Sequence, residues 1–366
     1  MPVEVHEAGS ALKILLVRLR LVGDVVFTTP AIRALRRRFP AATLDYLVES
    51  AAAPVVRHNP HLSSVIEVER PRGLGRLTYD LALARRLRRT GYDLAIDFHG
   101  GPRSAWLVWA SGAPRRIGYD IPGRRWAYTT RMPWHPDLVP PRHSVLNQGD
   151  LLGPLEIGPP DPELDAVEMA VSDAATSAAA ARLATAGVEL DTPLVVLHVS
   201  ASNPFRRWPR GAFAQVAAAL AAADPRRRIM ITAGPSEADA ADAVAADAAR
   251  LAGAAAPAIV RCGEPALEEL EVIVRRARLF IGGDSGPLHI AATTPVPIVA
   301  LFGPTLPARS MPWRPATLPA IALEPGPLPC RPCHQRTCVP GDFRCLTAIT
   351  PEAVIAAASR LLEARP

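Results

Sequence analysis

The sequence predicts an α/β protein built from two doubly wound, Rossmann-like domains facing each other across an interdomain cleft. Three observations carry that expectation. The chain has 366 residues, more than one hydrophobic core usually serves. Short apolar runs alternate with amphipathic stretches of helical period, the pattern of parallel strands covered by helices. The alternation lapses near residue 115 and restarts after residue 170, so the pattern is written twice.

In the first half, LKILLV (12–17) reads as a buried strand and TLDYLV (43–48) as a second, with amphipathic PAIRALRRRF between them. SSVIEV (63–68) and YDLAIDF (92–98) continue the series, and the helical pattern YDLALARRLRR (79–89) precedes the latter. Residues 115–165 are rich in Pro, Gly, Arg and Trp without clear period, and read as loops and a linker. An Ala-rich helix (172–186) opens the second half. Strands follow at 193–200, 228–234, 258–262, 279–283 and 297–303, with helices at 211–223, 236–252 and 266–277. These elements divide into domains at 1–170 and 171–350. The amphipathic segment 351–366 is free to pack back on the first domain.

Hydrophobic residues make up 49% of the chain and charged residues 21%, a globular rather than disordered balance. No apolar run approaches the roughly eighteen residues that cross a bilayer, and MPVEVHEAGS lacks the basic start of a signal peptide. A cytoplasmic location is expected. The net charge of +6 comes with 41 basic residues, of which only Lys13 is lysine. Arginines cluster in ALRRRF (34–39) and ARRLRR (84–89), as solvated helix faces or as contacts for anionic partners, including a membrane surface. Nucleic acid is not expected, because no zinc-finger, RRM-type or interleaved aromatic pattern is present.

Neither half contains G-x-G-x-x-G or a Walker loop, which argues against dinucleotide oxidoreductases and P-loop enzymes. Three other stretches carry chemistry. In RLRLVGDVVFTTPAIRAL (18–35), Gly23 allows a tight turn and Asp24 then stands where a carboxylate can serve as general base. Asp24 could instead cap the helix, but Thr29-Pro30 offers a competing helix start. In FIGGDSGPLHIAA (280–292), a strand passes through Asp284, Ser285 and Gly286 into a helix start, a cradle for phosphate with Asp284 left for sugar hydroxyls. His289 is either a phosphate contact or a packed structural residue. In HVSASNPFRRWPRGAF (198–213), Ser200, Ser202 and Asn203 supply small polar donors, while Arg206 and Arg207 supply fixed positive charge for a diphosphate leaving group. Trp208-Pro209 reads as a structural anchor.

Together, VRLRLVGDVVFTTPAIRALRRRFPAATLDYLV, the Arg-Trp-Pro element, GGDSGPLHIAA and the tail CRPCHQRTCVPGDFRCL resemble glycosyltransferase family 9, the ADP-heptose:lipopolysaccharide heptosyltransferases, over nearly the whole chain and in the same order. The resemblance implies a GT-B fold with an acceptor-binding first domain and a nucleotide-sugar-binding second one. It also implies inversion at the anomeric carbon, no catalytic metal or other required cofactor, and heptose transfer from an ADP-sugar donor to an anionic glycolipid acceptor, with peripheral contact at the inner membrane. Asp24 falls at the family's proposed base, Asp284, Ser285 and Gly286 at its sugar–diphosphate element, and Glu237 at an acid that contacts the nucleotide ribose. Arg206 stands where the family usually has lysine, so the diphosphate grip differs in geometry. DFHGGPRSAW (97–106) departs from a family stretch usually reading Asp-x-Gln, which makes His99 and Arg103 acceptor-side candidates. Readings that compete are a GT-B transferase with another donor or a non-lipopolysaccharide acceptor, a sugar-nucleotide epimerase, and a binding protein without turnover.

Cys330, Cys333, Cys338 and Cys345 form C-x2-C-x4-C-x6-C, with Cys262 apart. For a cytosolic chain a structural zinc or iron–sulfur site, packed reduced thiols and oxidised thiols are the readings, and the spacing matches no standard site. Similar tails in the resembling family make this a family feature rather than a sign of catalysis.

Overall fold

The protein was analysed as a computed structural model that describes residues 12–73, 75–134, 140–201, 203–333 and 337–364. The chain forms two compact units, Met1–Ala170 and Val171–Pro366.

The first unit contains, in chain order, β1 (Lys13–Val17), α1 (Val22–Val26), α2 (Thr29–Arg38), β2 (Thr43–Glu49), β3 (Ser64–Val68), α3 (Gly75–Thr90), β4 (Leu94–Asp97), α4 (Pro102–Ala110), β5 (Arg115–Tyr119), β6 (Thr130–Met132) and α5 (Ser144–Gly149). Its sheet runs β3-β2-β1-β4-β5-β6, and every pairing is parallel. Ile14, Leu15, Leu16 and Val17 are fully buried, as a central strand covered on both faces requires. Residues 115–165 are more structured than a linker. They supply β5, β6 and α5, which the arginines of β5 and the shortness of β6 hide from any apolar-run reading. Gly118 in β5 is there because a side chain would strike the Tyr128 ring at 2.4 Å.

The second unit contains α6 (Asp173–Thr185), β7 (Leu194–His198), α7 (Arg210–Ala223), β8 (Arg228–Thr232), α8 (Ala238–Ala252), β9 (Ile259–Val260), α9 (Leu267–Arg276), β10 (Leu279–Gly283), α10 (Gly286–Ala292), β11 (Ile298–Leu301), α11 (Pro307–Ser310), β12 (Ala320–Leu323), α12 (Arg344–Thr347) and α13 (Pro351–Glu363). Its parallel sheet runs β12-β11-β10-β7-β8-β9. Read from its own first strand, β7, this is the same winding as in the first unit. Helix α13 buries Val354, Ala357, Ala358 and Leu361 in the core formed by β7, β8, β10, β11 and α7. The apolar face that the sequence left free for the first domain is therefore used within the second unit.

In each sheet the winding reverses between the first and fourth strands, β1 and β4 in one unit, β7 and β10 in the other. A crevice opens beyond the carboxyl ends of strands at such a reversal, because the two connections leave in opposite directions. No helix among the described residues is long and apolar enough to cross a membrane.

Candidate functional site

In the first unit, the segments leaving β1 and β4 bring Arg18 and Asp24 together with the sequence-distant His99. Arg18, just past β1, is half-buried and donates from Nη1 to the Phe98 carbonyl at 2.5 Å. Its Nη2 pairs with Asp24 Oδ2 at 2.5 Å. Asp24 sits in the first turn of α1, where Oδ2 also faces the Leu21 N–H at 3.5 Å. Asp24 therefore does take part in a helix start, although α2 has its own beginning at Thr29-Pro30. Its side chain stays 34% exposed, which leaves Oδ1 open to a ligand.

His99, past β4, lies within reach of the charges on Arg18, Arg20 and Asp24. Burial first, and then the positive charges of Arg18 and Arg20, push its pKa down to about 4, so the ring is neutral at ordinary pH. The loop that presents it is shaped by buried Asp97. That carboxylate accepts from His99 N–H at 2.9 Å, Gly100 N–H at 3.0 Å, Ser104 Oγ at 2.9 Å and Tyr128 Oη at 2.7 Å. Burial raises the Asp97 pKa and these bonds oppose the rise. Gly101 is needed there, since a Cβ would stand 2.6 Å from the His99 ring.

Arg103 points elsewhere. It bonds Asp80 at 2.6 Å, Glu49 at 3.3 Å and the Glu69 carbonyl at 2.8 Å, with 7% of its side chain exposed. Its donors are engaged by Asp80, Glu49 and Glu69 of the first unit.

In the second unit, the segments after β7, β8 and β10 carry the remaining candidates. Arg206 Nη1 lies 3.3 Å from Asp284 Oδ2 and donates to the Asp284 carbonyl at 3.2 Å. His289 Nε2 lies 3.3 Å from Asp284 Oδ1. Burial alone would raise the Asp284 pKa, but the His289 bond and charge and the Arg206 charge hold it down to about 2. Asp284 is 4% exposed at the side chain and stands between Arg206 and His289, with Oδ1 buried. Gly283 permits this approach, because a Cβ would come 3.1 Å from the Arg206 carbonyl. Ser285 Oγ is buried without a hydrogen-bond partner among the described residues, next to Gly286 at the start of α10. Such a group calls for a ligand or water.

Arg207 donates to the Ala201 carbonyl at 2.8 Å and forms an ion pair with Glu237, which is buried. Arg206 and Arg207 nevertheless keep 38% and 39% of their side chains exposed, enough for each to meet an anion. Asn203 accepts from Phe205 N–H at 3.1 Å and shapes the turn. Trp208 is buried, packs edge-on against Phe213 and donates from Nε1 to the Ile349 carbonyl at 2.9 Å, an anchor as the sequence indicated. Ser202 lies outside the described residues.

Ser200 is bound into a relay that sequence alone did not reveal. Buried His198 has Nδ1 3.1 Å from Thr232 Oγ1 and Nε2 3.0 Å from Ser200 Oγ, while Ser200 Oγ accepts from Gly234 N–H at 2.9 Å. Burial pushes the His198 pKa down to about 4, so its ring carries one proton. Thr232 Oγ1 also faces the Leu197 carbonyl at 3.5 Å. The relay ties the end of β7 to the turn bearing Glu237.

Cys330, Cys333, Cys338 and Cys345 line one cavity together with Asn203, Phe205 and Arg206. All are free thiols. No group of three or more His, Cys, Asp or Glu side chains is placed to hold a metal ion among the described residues. Burial raises the Cys345 pKa, and the other three thiols of the cavity add to the rise.

Comparisons with known proteins identify the family and the fold. The family profile of glycosyltransferase family 9 (heptosyltransferase) matches residues 81–342. Lipopolysaccharide heptosyltransferase 3 of Escherichia coli is 28% identical over 349 residues, spanning 94% of this chain and 97% of that protein. Among solved structures, a family 9 glycosyltransferase from Veillonella parvula superposes with a TM-score of 0.78 at 23% identity, covering 96% of this chain and 97% of its own. The E. coli ADP-heptose lipopolysaccharide heptosyltransferase II gives 0.75 at 19% identity, with 96% and 99% covered. These two share the GT-B fold expected here. With a profile match over more than half of its length and both halves wound as the family's are, this chain belongs to glycosyltransferase family 9, the heptosyltransferases.

Proposed function

We propose that this glycosyltransferase moves heptose from an ADP-activated donor onto a lipopolysaccharide inner-core acceptor, with inversion and with Asp24 as general base. One observation carries the reading: in both doubly wound units the candidate side chains gather at the carboxyl ends of the strands where the winding reverses, β1 and β4 in one and β7 and β10 in the other, with Glu237 following the neighbouring β8.

The second unit supplies the donor half-site. Arg206 and Arg207 face the diphosphate, Glu237 the ribose, and Ser285 with Gly286 the adjoining phosphate oxygens. His289 and Asp284 hold Arg206 in place. The first unit supplies the acceptor half-site, in which Asp24 Oδ1 takes the proton of the attacking hydroxyl and neutral His99 contacts the acceptor. The hydroxyl oxygen bonds to the anomeric carbon as the bond to ADP breaks, and the guanidiniums meet the charge that grows on the departing diphosphate. Two guanidiniums at that point support catalysis without a metal. A lipid-borne acceptor implies work at the cytoplasmic face of the inner membrane.

Asp24→Asn should lower kcat by about 10²–10⁴-fold while the donor still raises the melting temperature as it does for the wild type. Near-full turnover by a folded Asp24→Asn variant removes Asp24 from this role. For the tail, a structural zinc or iron–sulfur site rests only on four thiols lining one cavity, since among the described residues no three of them are placed around one ion. Elemental analysis should then find metal in proportion to protein, and none at all rejects it.

A further inference from the structure

The sequence contains two arginine-rich helices, and the structure treats them differently. On α2, Arg33 and Arg37 are paired with Glu168 and Asp165, Arg38 with Glu156, and Arg36 donates to the carbonyls of His61, Pro40 and Ala42. That cluster holds the first unit together. On α3, Arg85, Arg88 and Arg89 are exposed on one helix face, spaced three and four residues apart, and none forms an ion pair among the described residues.

Helix α3 packs on α4, and α4 on the turn at Arg125–Ala127. The stem of Arg88 lies against Gly112, where a Cβ would meet its Cγ at 3.4 Å, and the Gly112 N–H donates to the Trp109 carbonyl. Arg88 therefore lies against the end of α4, three residues beyond Trp109. Trp109 is 49% exposed and Trp126 53% exposed, and their rings meet edge to face at 5.8 Å. Trp126 Nε1 already donates to the Gly123 carbonyl at 3.0 Å, so the ring offers outward an apolar face.

We propose that this α3–α4 face of the first unit is the surface by which the protein docks on an anionic lipid bilayer. The proposal rests on the lipid-borne acceptor argued above. Uncompensated guanidiniums complement anionic headgroups, and tryptophan rings settle at the boundary between headgroups and chains. A protein partner would call for a more closed apolar surface and carboxylates of its own, and a soluble glycan would use the rings without three free cations.

The test is co-flotation of the full chain with vesicles, without nucleotide. Wild type binds phosphatidylethanolamine–phosphatidylglycerol vesicles, binds phosphatidylcholine vesicles weakly, and is released by salt. The variant R85E/R88E/R89E loses roughly a hundredfold in binding, taking about a factor of five for each basic residue near the surface. W109S/W126S loses roughly tenfold. Both keep the wild-type melting temperature and the wild-type rate on a delipidated, water-soluble acceptor. Absence of wild-type binding to anionic vesicles, or full binding by both variants, overturns the proposal. Loss of transfer to the soluble acceptor by W109S/W126S reassigns the rings to the glycan and overturns it too. If wild type transfers nothing to any acceptor while the vesicle results stand as expected, docking holds and the transferase reading falls.

Discussion

Buried His198 gives the clearest prediction at the scale of single residues. Its pKa falls from the usual 6.5 to about 4 through burial, so the folded chain takes up this proton only below about pH 4, while the unfolded chain takes it up below 6.5. Between those values the unfolded state binds more protons, and stability falls as pH drops from 6.5 toward 4, by on the order of 3 kcal/mol in total. Asp284, held down to about 2 against an ordinary 3.8, supports the fold above 3.8 and loses that support only toward pH 2, so the two windows do not overlap. Urea unfolding of wild type and His198→Gln at pH 6.5 and 4.5 should show a markedly smaller loss in the variant; equal losses would mean that the ring is not the titrating group. Asp24 and Asp284 were legible in the sequence because a charged residue following an apolar strand and glycine stands out. Arg18 and His198 were not, since their partners at Phe98 and Thr232 lie far along the chain and only the paired strands bring them near.

At the scale of elements, the tail shows how a strand end is locked. Arg331 donates from Nε to the Gly303 carbonyl at 2.8 Å and from Nη2 to the Thr305 carbonyl at 2.7 Å, and Cys333 N–H donates to Pro304. Leu346 fills the space above Gly303, where a Cβ would stand 2.4 Å from it. Gly303→Ala should therefore cost about 1–3 kcal/mol by overpacking and raise thiol reactivity in the tail, read as a lower melting temperature and faster labelling by a thiol reagent. Unchanged melting and labelling would show that the tail is not fixed there. The periodic helices and the apolar strands of both sheets were readable because burial writes itself into their pattern. Strands β5, β6 and β12 were not: β5 begins with two arginines, β6 has three residues, and β12 follows a proline-rich stretch without a helix to announce it. The partners of Arg103 were hidden for a related reason, as its three acceptors come from α3 and from the ends of β2 and β3.

For the whole molecule, the same winding appears twice with different cargo at its reversal point. The first unit holds a partly open carboxylate beside a neutral histidine; the second holds two half-exposed guanidiniums braced by buried acids. Such a division suits a reaction in which one partner must lose a proton and the other must release an anion. The most direct check is the product formed from an ADP-heptose of known anomeric configuration and a defined inner-core acceptor, analysed by NMR. Heptose joined to the acceptor with the opposite anomeric configuration, together with one ADP per transfer, is expected. A free, altered sugar formed without acceptor, or a product of retained configuration, would contradict the account.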